Sequence, residues 1–297
     1  MSAAAKLAIL KKRAAFLQKA RQFFIDRGLL EVDVPILNKF APIDRHIEVL
    51  EIPQVGFLHT SPEYGIKKLL SEVNTDVFQI SHVFRKGEKG KNHNPEFTMI
   101  EWYRLSVDFF TYIDEVIEFI ELFLGSLKTD HITYDQAFKK FANIDSITPI
   151  SLKSCLDAHE ISYTELVNLL DLVYTHIIEP NLGKEGLTVI YDFPKDQAAL
   201  AKTYHNGKEE KARRFEIYYK GCELANGYDE LGDKTILEKR LKDEAEHYKA
   251  NFGKTLEIDP DILEAMDGFP ECCGVAIGFD RLLMKALNID SIQKLLP

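Results

Sequence analysis

The 297-residue chain is 45% hydrophobic and 28% charged, and its 37 basic and 47 acidic residues give a formal net charge of −10. That apolar content can fill a sizeable core, whereas the acidic balance argues against broad, sequence-independent binding of nucleic acid, which needs a basic face. No apolar run has the length of a membrane span and no secretory signal pattern opens the chain; Cys155, Cys222, Cys272 and Cys273 form no C-x-x-C pair and read as reduced thiols of a cytoplasmic protein rather than a zinc site.

In chain order, Leu10, Ala14, Leu17, Ala20 and Phe24 recur at helical spacing, predicting a helix over Leu7–Arg27 that stops at Gly28. Leu29–Val34 reads as a strand closed by Pro35. Val49–Leu58 reads as extended with turn signals at Pro53 and Gly56, and Thr60–Leu70 opens a helix with Ser61 as N-cap, Pro62 next and Glu63 in the first turn. Val77–Phe84 and Phe97–Arg104 read as two strands of a hairpin whose long polar tip contains Gly87 and Gly90. Phe109–Leu127 is helical, and Ile132–Leu172 is mixed and mostly helical. Thr188–Phe193 and Phe215–Leu224 read as strands, and Asn226–Gly227 as a turn. Thr235–Asn251 reads as a charged, solvated helix, and Val275–Ile277 as a short strand before a helix over Arg281–Leu287. Strands mostly follow strands and helices cluster, so the expected class is α+β, an antiparallel sheet with helices packed on it.

The chemistry concentrates in two distant segments. Phe84–Arg104 holds Arg85, whose planar fork suits a phosphate, with His93 and Phe97 on the returning side of the loop. Gly274–Arg281 places Arg281 at a strand-to-helix junction, where it could meet a terminal phosphate or pair with a neighbouring acid such as Asp280. Glu216, Glu223 and Glu230 are spaced by seven. Odd separations along a strand put residues on opposite faces, so only a bulge or turn would unite Glu216 with Glu223. Periodicity alone favours solvated carboxylates over a magnesium site. No phosphate-binding loop of the G-x-x-x-x-G-K-[ST] kind and no G-x-G-x-x-G turn occurs, which sets aside P-loop and Rossmann enzymes.

FRKGEKGKNHNPEFTMIEWYR (Phe84–Arg104) resembles motif 2 of class II aminoacyl-tRNA synthetases in its lysyl form, GVAIGFDR (Gly274–Arg281) resembles motif 3, and Leu10–Pro35 resembles motif 1. TSPEYGIKKLL, NLGKEG and RRFEIYYKGCELANGYDEL extend the likeness over nearly the whole chain. It implies a single class II synthetase-like catalytic domain over residues 1–297, built on an antiparallel sheet flanked by helices. Room for a preceding anticodon-binding domain is lacking, and Ala276 stands where lysyl-tRNA synthetases carry glycine. Both features resemble the stand-alone lysyl-type paralogues that join (R)-β-lysine to a lysine of elongation factor P.

By this resemblance the substrates are ATP with Mg2+, β-lysine and elongation factor P, and tRNA is not the expected acceptor. The motif 1 helix and strand imply a homodimer. Arg85 would bind the α-phosphate and substrate carboxylate, and Arg281 the γ-phosphate. His93 and Glu88 would serve ATP, Phe97 would stack on adenine, and Glu216 and Glu223 would hold magnesium. Glu63 would meet the amino group nearer the reacting carboxylate, Tyr103 and Glu230 the side-chain ammonium, and Asn226 the carboxylate, with Ala276 shaping the pocket. The family's glutamate two residues after the motif 2 arginine is absent: Gly87 holds that place, with Glu88 beside it.

Overall fold

The computed structural model describes residues 2–164 and 168–295. The chain folds as two compact units, one formed by the residues up to Gly125 together with those from Asp229 onward, the other by Ser126–Tyr228. In chain order the first unit begins with α1 (Ala3–Asp26), β1 (Leu30–Glu31), β2 (Leu37–Asn38), β3 (Leu50–Ile52), β4 (Gly56–Leu58), α2 (Glu63–Val73), β5 (Val77–Phe84), β6 (Glu96–Leu105) and α3 (Phe109–Leu124). The second contains β7 (Thr129–Thr133), α4 (Tyr134–Ala142), α5 (Pro149–Ala158), α6 (Leu169–Val173), β8 (Leu187–Pro194), β9 (Thr203–His205), β10 (Glu210–Tyr219) and β11 (Glu223–Asp229). The chain then returns through α7 (Lys234–Phe252), α8 (Pro260–Ala265), β12 (Cys272–Gly278) and α9 (Phe279–Ala286).

In the first unit the strand order is β1-β5-β6-β12, with β1 parallel to β5 and the other pairs antiparallel. The expected hairpin forms in unbroken register, Val77 opposite Tyr103 through Phe84 opposite Glu96. Behind it Phe24 of α1 stacks on Phe78 and on Phe119 of α3, with ring centroids 4.6 and 5.2 Å apart. The fully buried Trp102 lies 5.2 Å from Phe119. These rings supply the large apolar burial that fixes helices to a sheet face. Val34, Ile66, Leu70, Val77, Tyr103 and Cys272 form another buried cluster, and it ties α2 to the same strands.

In the second unit the order is β11-β10-β8-β7, with β9 also on β10; β7 and β8 are parallel, and the β8–β10, β9–β10 and β10–β11 pairs are antiparallel. Tyr134, Phe138, Leu156, Val173, Ile178, Phe193 and Tyr218 belong to its core. Each unit is a mostly antiparallel sheet flanked by helices, as the α+β expectation has it.

Several boundaries differ from the sequence reading. The strand expected over Leu29–Val34 pairs only at Leu30–Glu31. With Pro35 ahead, Val34 N–H turns to the Gln79 side chain, donating to Oε1 at 2.9 Å. Pro62, not Ser61, occupies the N-cap of α2, but Ser61 Oγ still accepts the Glu63 N–H at 3.0 Å. The helix α7 is charged along its length yet buries Leu237, Leu241 and Tyr248. The strand expected over Val275–Ile277 runs the full Cys272–Gly278. Part of the expected Ile132–Leu172 stretch, residues 165–167, lies outside the described residues.

The largest correction concerns Asn226–Gly227. It is no turn but the middle of β11, Asn226 opposite Glu216 and Gly227 opposite Phe215. The reversal comes earlier, at Lys220–Gly221, both at positive φ (49° and 63°) and bracketed by Tyr219–Cys222 hydrogen bonds. Two left-handed residues match the twist of a two-residue hairpin. The single strand expected over Phe215–Leu224 is therefore two strands and a turn.

Candidate functional site

The hairpin loop between β5 and β6 gathers the phosphate-type candidates of the first unit. Arg85 leaves β5 with its N–H donated to Pro95 O at 2.8 Å, which closes the base of the loop. Its guanidinium lies 5.2 Å from the Phe97 ring centroid, donates a long 3.4 Å bond to Thr60 O, and sits 3.6 Å from Glu88 Oε1. The last distance is that of an ion pair rather than a hydrogen bond. Phe97 is thus close enough to hold the guanidinium by cation–π attraction. Gly87 adopts φ +79°, a conformation that strongly favours glycine. This backbone geometry gives a physical reason why the acid stands at Glu88 instead.

Arg281, on the first turn of α9, reaches the other end of the same loop. Its Nη2 is 2.6 Å from His93 Nε2 and its Nε donates to Asn92 O at 3.4 Å. Burial, and then Arg281 itself, push the His93 imidazole below its ordinary range. It is therefore a neutral acceptor aligned on the guanidinium. The adjacent Asp280 is buried; it pairs with Arg13 of α1 and accepts the Thr98 N–H at 2.8 Å. A helix pinned on both sides of its carboxylate fixes the direction of Arg281. The two distant arginines are brought to one loop.

A second group is buried beneath α2. Glu63 and Lys67 are one helical turn apart, and Lys67 Nζ lies 2.8 Å from Glu63 Oε1 and 2.7 Å from Glu230 Oε2. Glu101 of β6 accepts from Ser61 Oγ at 2.6 Å and from Tyr103 OH at 2.7 Å. Lys67, Glu101, Tyr103 and Glu230 are each no more than 2% exposed. Burial, reinforced by Glu63, pushes Glu101 up to about 7. Burial also carries Glu230 up to about 8 against the pull of Lys67. For Lys67 burial opposes the charge, but Glu230 and Glu63 outweigh it and hold the ammonium protonated. Three carboxyl groups around one ammonium form an electronegative pocket with room in its charge balance for further cations.

Strand β12 permits this approach. Gly274 is in register with Tyr103, and Ala276 with Glu101. A Cβ at Gly274 would stand 2.3 Å from Glu230 Oε1 and 2.4 Å from Tyr103 Cε1. The strand must be bare there for the acid and the ring to meet. Ala276 carries its methyl beside Glu101, on the pocket side of the β6–β12 pair.

In the second unit the turn at Lys220–Gly221 and a register shift after Ile217 set Glu223 opposite Tyr218, two residues along β10 from Glu216. That places Glu216, Glu223 and Asn226 on one face, the arrangement for which spacing alone required a bulge or turn. Glu216 is buried rather than solvated. Its Oε1 accepts from Arg214 Nη2 and its Oε2 from Tyr218 OH, both at 2.5 Å. Asn226 Oδ1 accepts from Arg214 Nε at 3.3 Å, and its amide donates to Tyr228 OH. Burial opposes the Arg214 charge, but Glu216, Tyr228 and Glu223 outweigh it and keep the guanidinium charged. Each Glu216 oxygen retains a lone-pair direction beyond its one donor. Among the described residues no group of three or more His, Cys, Asp or Glu is arranged as a cation cage, so a hard cation here needs oxygens from a bound ligand as well.

Sequence reasoning missed Ser61, Lys67, Glu101, Gly274, Arg214 and Tyr218. Lys67 carried a readable signal, the i,i+4 spacing of a helical ion pair that it shares with Glu63. The others depend on how segments apart in sequence pack together.

Comparison with known proteins agrees with this geometry. The family described as tRNA synthetases class II (D, K and N) matches residues 2–297. Elongation factor P–(R)-β-lysine ligases of Salmonella dublin, Salmonella paratyphi B (strain ATCC BAA-1250 / SPB7) and Salmonella heidelberg (strain SL476) are each 39% identical over 300 residues. The alignment covers 95% of this chain and 92% of each relative. No helix among the described residues is long and apolar enough to cross a membrane. With Arg85 on the β5–β6 loop, Arg281 reaching that loop from α9, β12 bared at Gly274 and a family match over residues 2–297, the chain belongs to the class II tRNA synthetases of the D, K and N group.

Proposed function

We propose that the protein activates (R)-β-lysine with ATP as an aminoacyl-adenylate and transfers it to a lysine side chain of elongation factor P. The observation that carries the amino-acid part is the pair of buried acids Glu101 and Glu230, with half-buried Glu63 beside them and a single ammonium, Lys67. Such a pocket suits a substrate bearing ammonium groups, because a buried cation needs anionic partners. The isomer and the acceptor come from the relatives, which are ligases of that kind along nearly their whole length.

In the first step a carboxylate oxygen of β-lysine attacks the α-phosphorus of ATP, a P–O bond forms, and the bond to the pyrophosphate leaving group breaks. Arg85 neutralises charge on the α-phosphate and the attacking carboxylate, and Arg281 holds the γ-phosphate, oriented by neutral His93. Phe97 offers its ring to adenine and Glu88 lies at the loop's edge for the nucleotide. Glu63, Tyr103 and Glu230 take the ammonium groups, and Asn226 the carboxylate. Glu216 and Glu223 would hold Mg2+ together with phosphate oxygens, supplying charge neutralisation. In the second step the ε-amine of the acceptor lysine attacks the acyl carbon, AMP leaves, and the amine gives up one proton.

Mass spectrometry of elongation factor P after incubation with the protein, ATP and β-lysine tests this reading. A gain of one β-lysyl group is expected. No gain, together with no ATP–pyrophosphate exchange for either lysine isomer, would overturn it. The N-terminal segment also supports a homodimer: Ile25 and Leu30 are each 55% exposed on the Leu10–Pro35 stretch that resembles motif 1 of the class II enzymes. Sedimentation at micromolar concentration should give a dimer, and a monomer would count against it.

A further inference from the structure

We infer that Lys67 is a specificity-determining residue: it permanently cancels one of three clustered carboxylates, two of them fully buried, and so sets the amino-acid pocket to receive two positive charges. This rests on the reading of that pocket given above and names the substrate class it selects, amino acids with two ammonium groups. Lys67 is nearly inaccessible, at 2% exposure, and is bracketed by Glu63 on its own helix and by Glu230 from the return of the chain after β11. It is too enclosed to act on an acceptor. Glu101 completes the group through Ser61 and Tyr103 rather than through Lys67. Three carboxylates against one ammonium leave two negative charges when all are ionised.

Buried charge of that size does not persist without partners. In the free protein the balance is met by protons, as the raised Glu101 and Glu230 carboxyls show. The other groups near the cluster are the hydroxyls of Ser61, Tyr64, Tyr103 and Tyr112, none of which supplies a positive charge. A substrate with two ammonium groups replaces both protons. One with a single ammonium leaves a carboxyl to be buried ionised or kept protonated, and is disfavoured. Without Lys67 the same pocket would call for three cations, which no simple diamino acid provides.

The test is a set of three variants in which only the charge count changes: Glu101→Gln, Lys67→Met, and both together. ATP–pyrophosphate exchange is measured with β-lysine, α-lysine and 3-aminohexanoate, the last lacking the side-chain ammonium. Glu101→Gln should narrow the preference for the diamino acid over 3-aminohexanoate by about tenfold or more. Lys67→Met should lower kcat/KM for the diamino acids by about tenfold or more, mainly through KM. The double variant, back at two negative charges, should recover the preference to within about threefold of the unaltered protein. A double variant no better than the poorer single one would overturn the charge rule. Should the Lys67 variants fail to fold, as judged by circular dichroism, the Glu101→Gln arm decides alone, and an unchanged preference overturns the inference. Absence of exchange by the unaltered protein with any diamino acid would instead defeat the proposed function itself.

Discussion

Gly274→Ala tests whether the acid pocket depends on the bareness of β12. An alanine Cβ there would sit 2.3 Å from Glu230 Oε1 and 2.4 and 2.7 Å from two Tyr103 ring carbons, all well inside van der Waals contact. The Tyr103 ring cannot simply swing away, because it is buried among Val34, Ile66, Leu70, Val77 and Cys272. Overpacking of this kind costs about 1–3 kcal/mol of stability. The ring also aims its hydroxyl at Glu101, 2.7 Å away, and a hydrogen bond to a carboxylate contributes about 1.5–3 kcal/mol. Losing roughly half of that from amino-acid binding corresponds to a rise in KM of about 3- to 12-fold. The KM for ATP should stay within about twofold, since the Arg85, His93 and Arg281 loop makes no contact with Gly274 among those described. Steady-state pyrophosphate exchange with each substrate varied in turn, alongside urea denaturation, reads all three quantities. If the two KM values rose together, or stability fell while the amino-acid KM stood still, the assignment of Gly274 to the pocket would be refuted.

The pH dependence of stability has a definite sign. Glu101 and Glu230 are raised in the folded protein to about 7 and about 8 from an ordinary 4.5, so their contribution is fully present below about pH 4.5 and is lost as pH rises through those folded values. The melting temperature of the free protein should therefore carry a downward slope from pH 5 to 8.5 that Glu101→Gln makes shallower; an unchanged slope in the variant would contradict it. His93→Ala removes the acceptor 2.6 Å from Arg281 and should raise the KM for ATP about tenfold while sparing the amino-acid KM, the reverse of the Gly274→Ala pattern. In the unaltered protein the His93 imidazole should titrate below 6.5 by NMR, and a value above that would rule out the neutral acceptor. Ala276→Gly deletes a methyl in register with Glu101 and should improve α-lysine activation relative to β-lysine about tenfold, the scale of one methylene in a pocket; an unchanged isomer ratio would remove Ala276 from the specificity set.

Elements whose own residues decide them were legible in the sequence. The β5–β6 hairpin alternates apolar residues up to a glycine-containing tip, and it forms in full register. The β10–β11 hairpin was misread because two turn signals compete six positions apart. Asn226–Gly227 is the stronger dipeptide on propensity, but Lys220–Gly221 carries the turn. Tertiary packing favours that choice. Gly221 lies against the backbone of Pro180, where a Cβ would come within 3.3 Å, and placing the reversal there pairs Phe215, Glu216 and Ile217 with both β8 and β11. A reversal at Asn226–Gly227 would forfeit the β11 ladder. Local preference worth a few tenths of a kcal/mol yields to several backbone hydrogen bonds of about 1 kcal/mol each.

The same physics explains why the candidate site was half visible. Arg85, His93 and Arg281 could be proposed singly, because a guanidinium or imidazole beside a glycine-rich loop has few structural uses. Glu101 could not. Along its strand it reads as one polar residue among Ile100, Trp102 and Tyr103, and nothing local tells a buried acid from a solvated one. Its burial is decided by Ala276 across the ladder and by Ser61 at the foot of another helix, 175 and 40 positions away. A buried carboxylate is costly unless several partners converge on it, and convergence is a property of topology rather than of any window of sequence. Lys67 is the limiting case. At i+4 from Glu63 it reads as an ordinary surface ion pair worth a few tenths of a kcal/mol. Only when Glu230 closes from the far side does that pair become a buried charge whose removal would leave the pocket's acids unmatched.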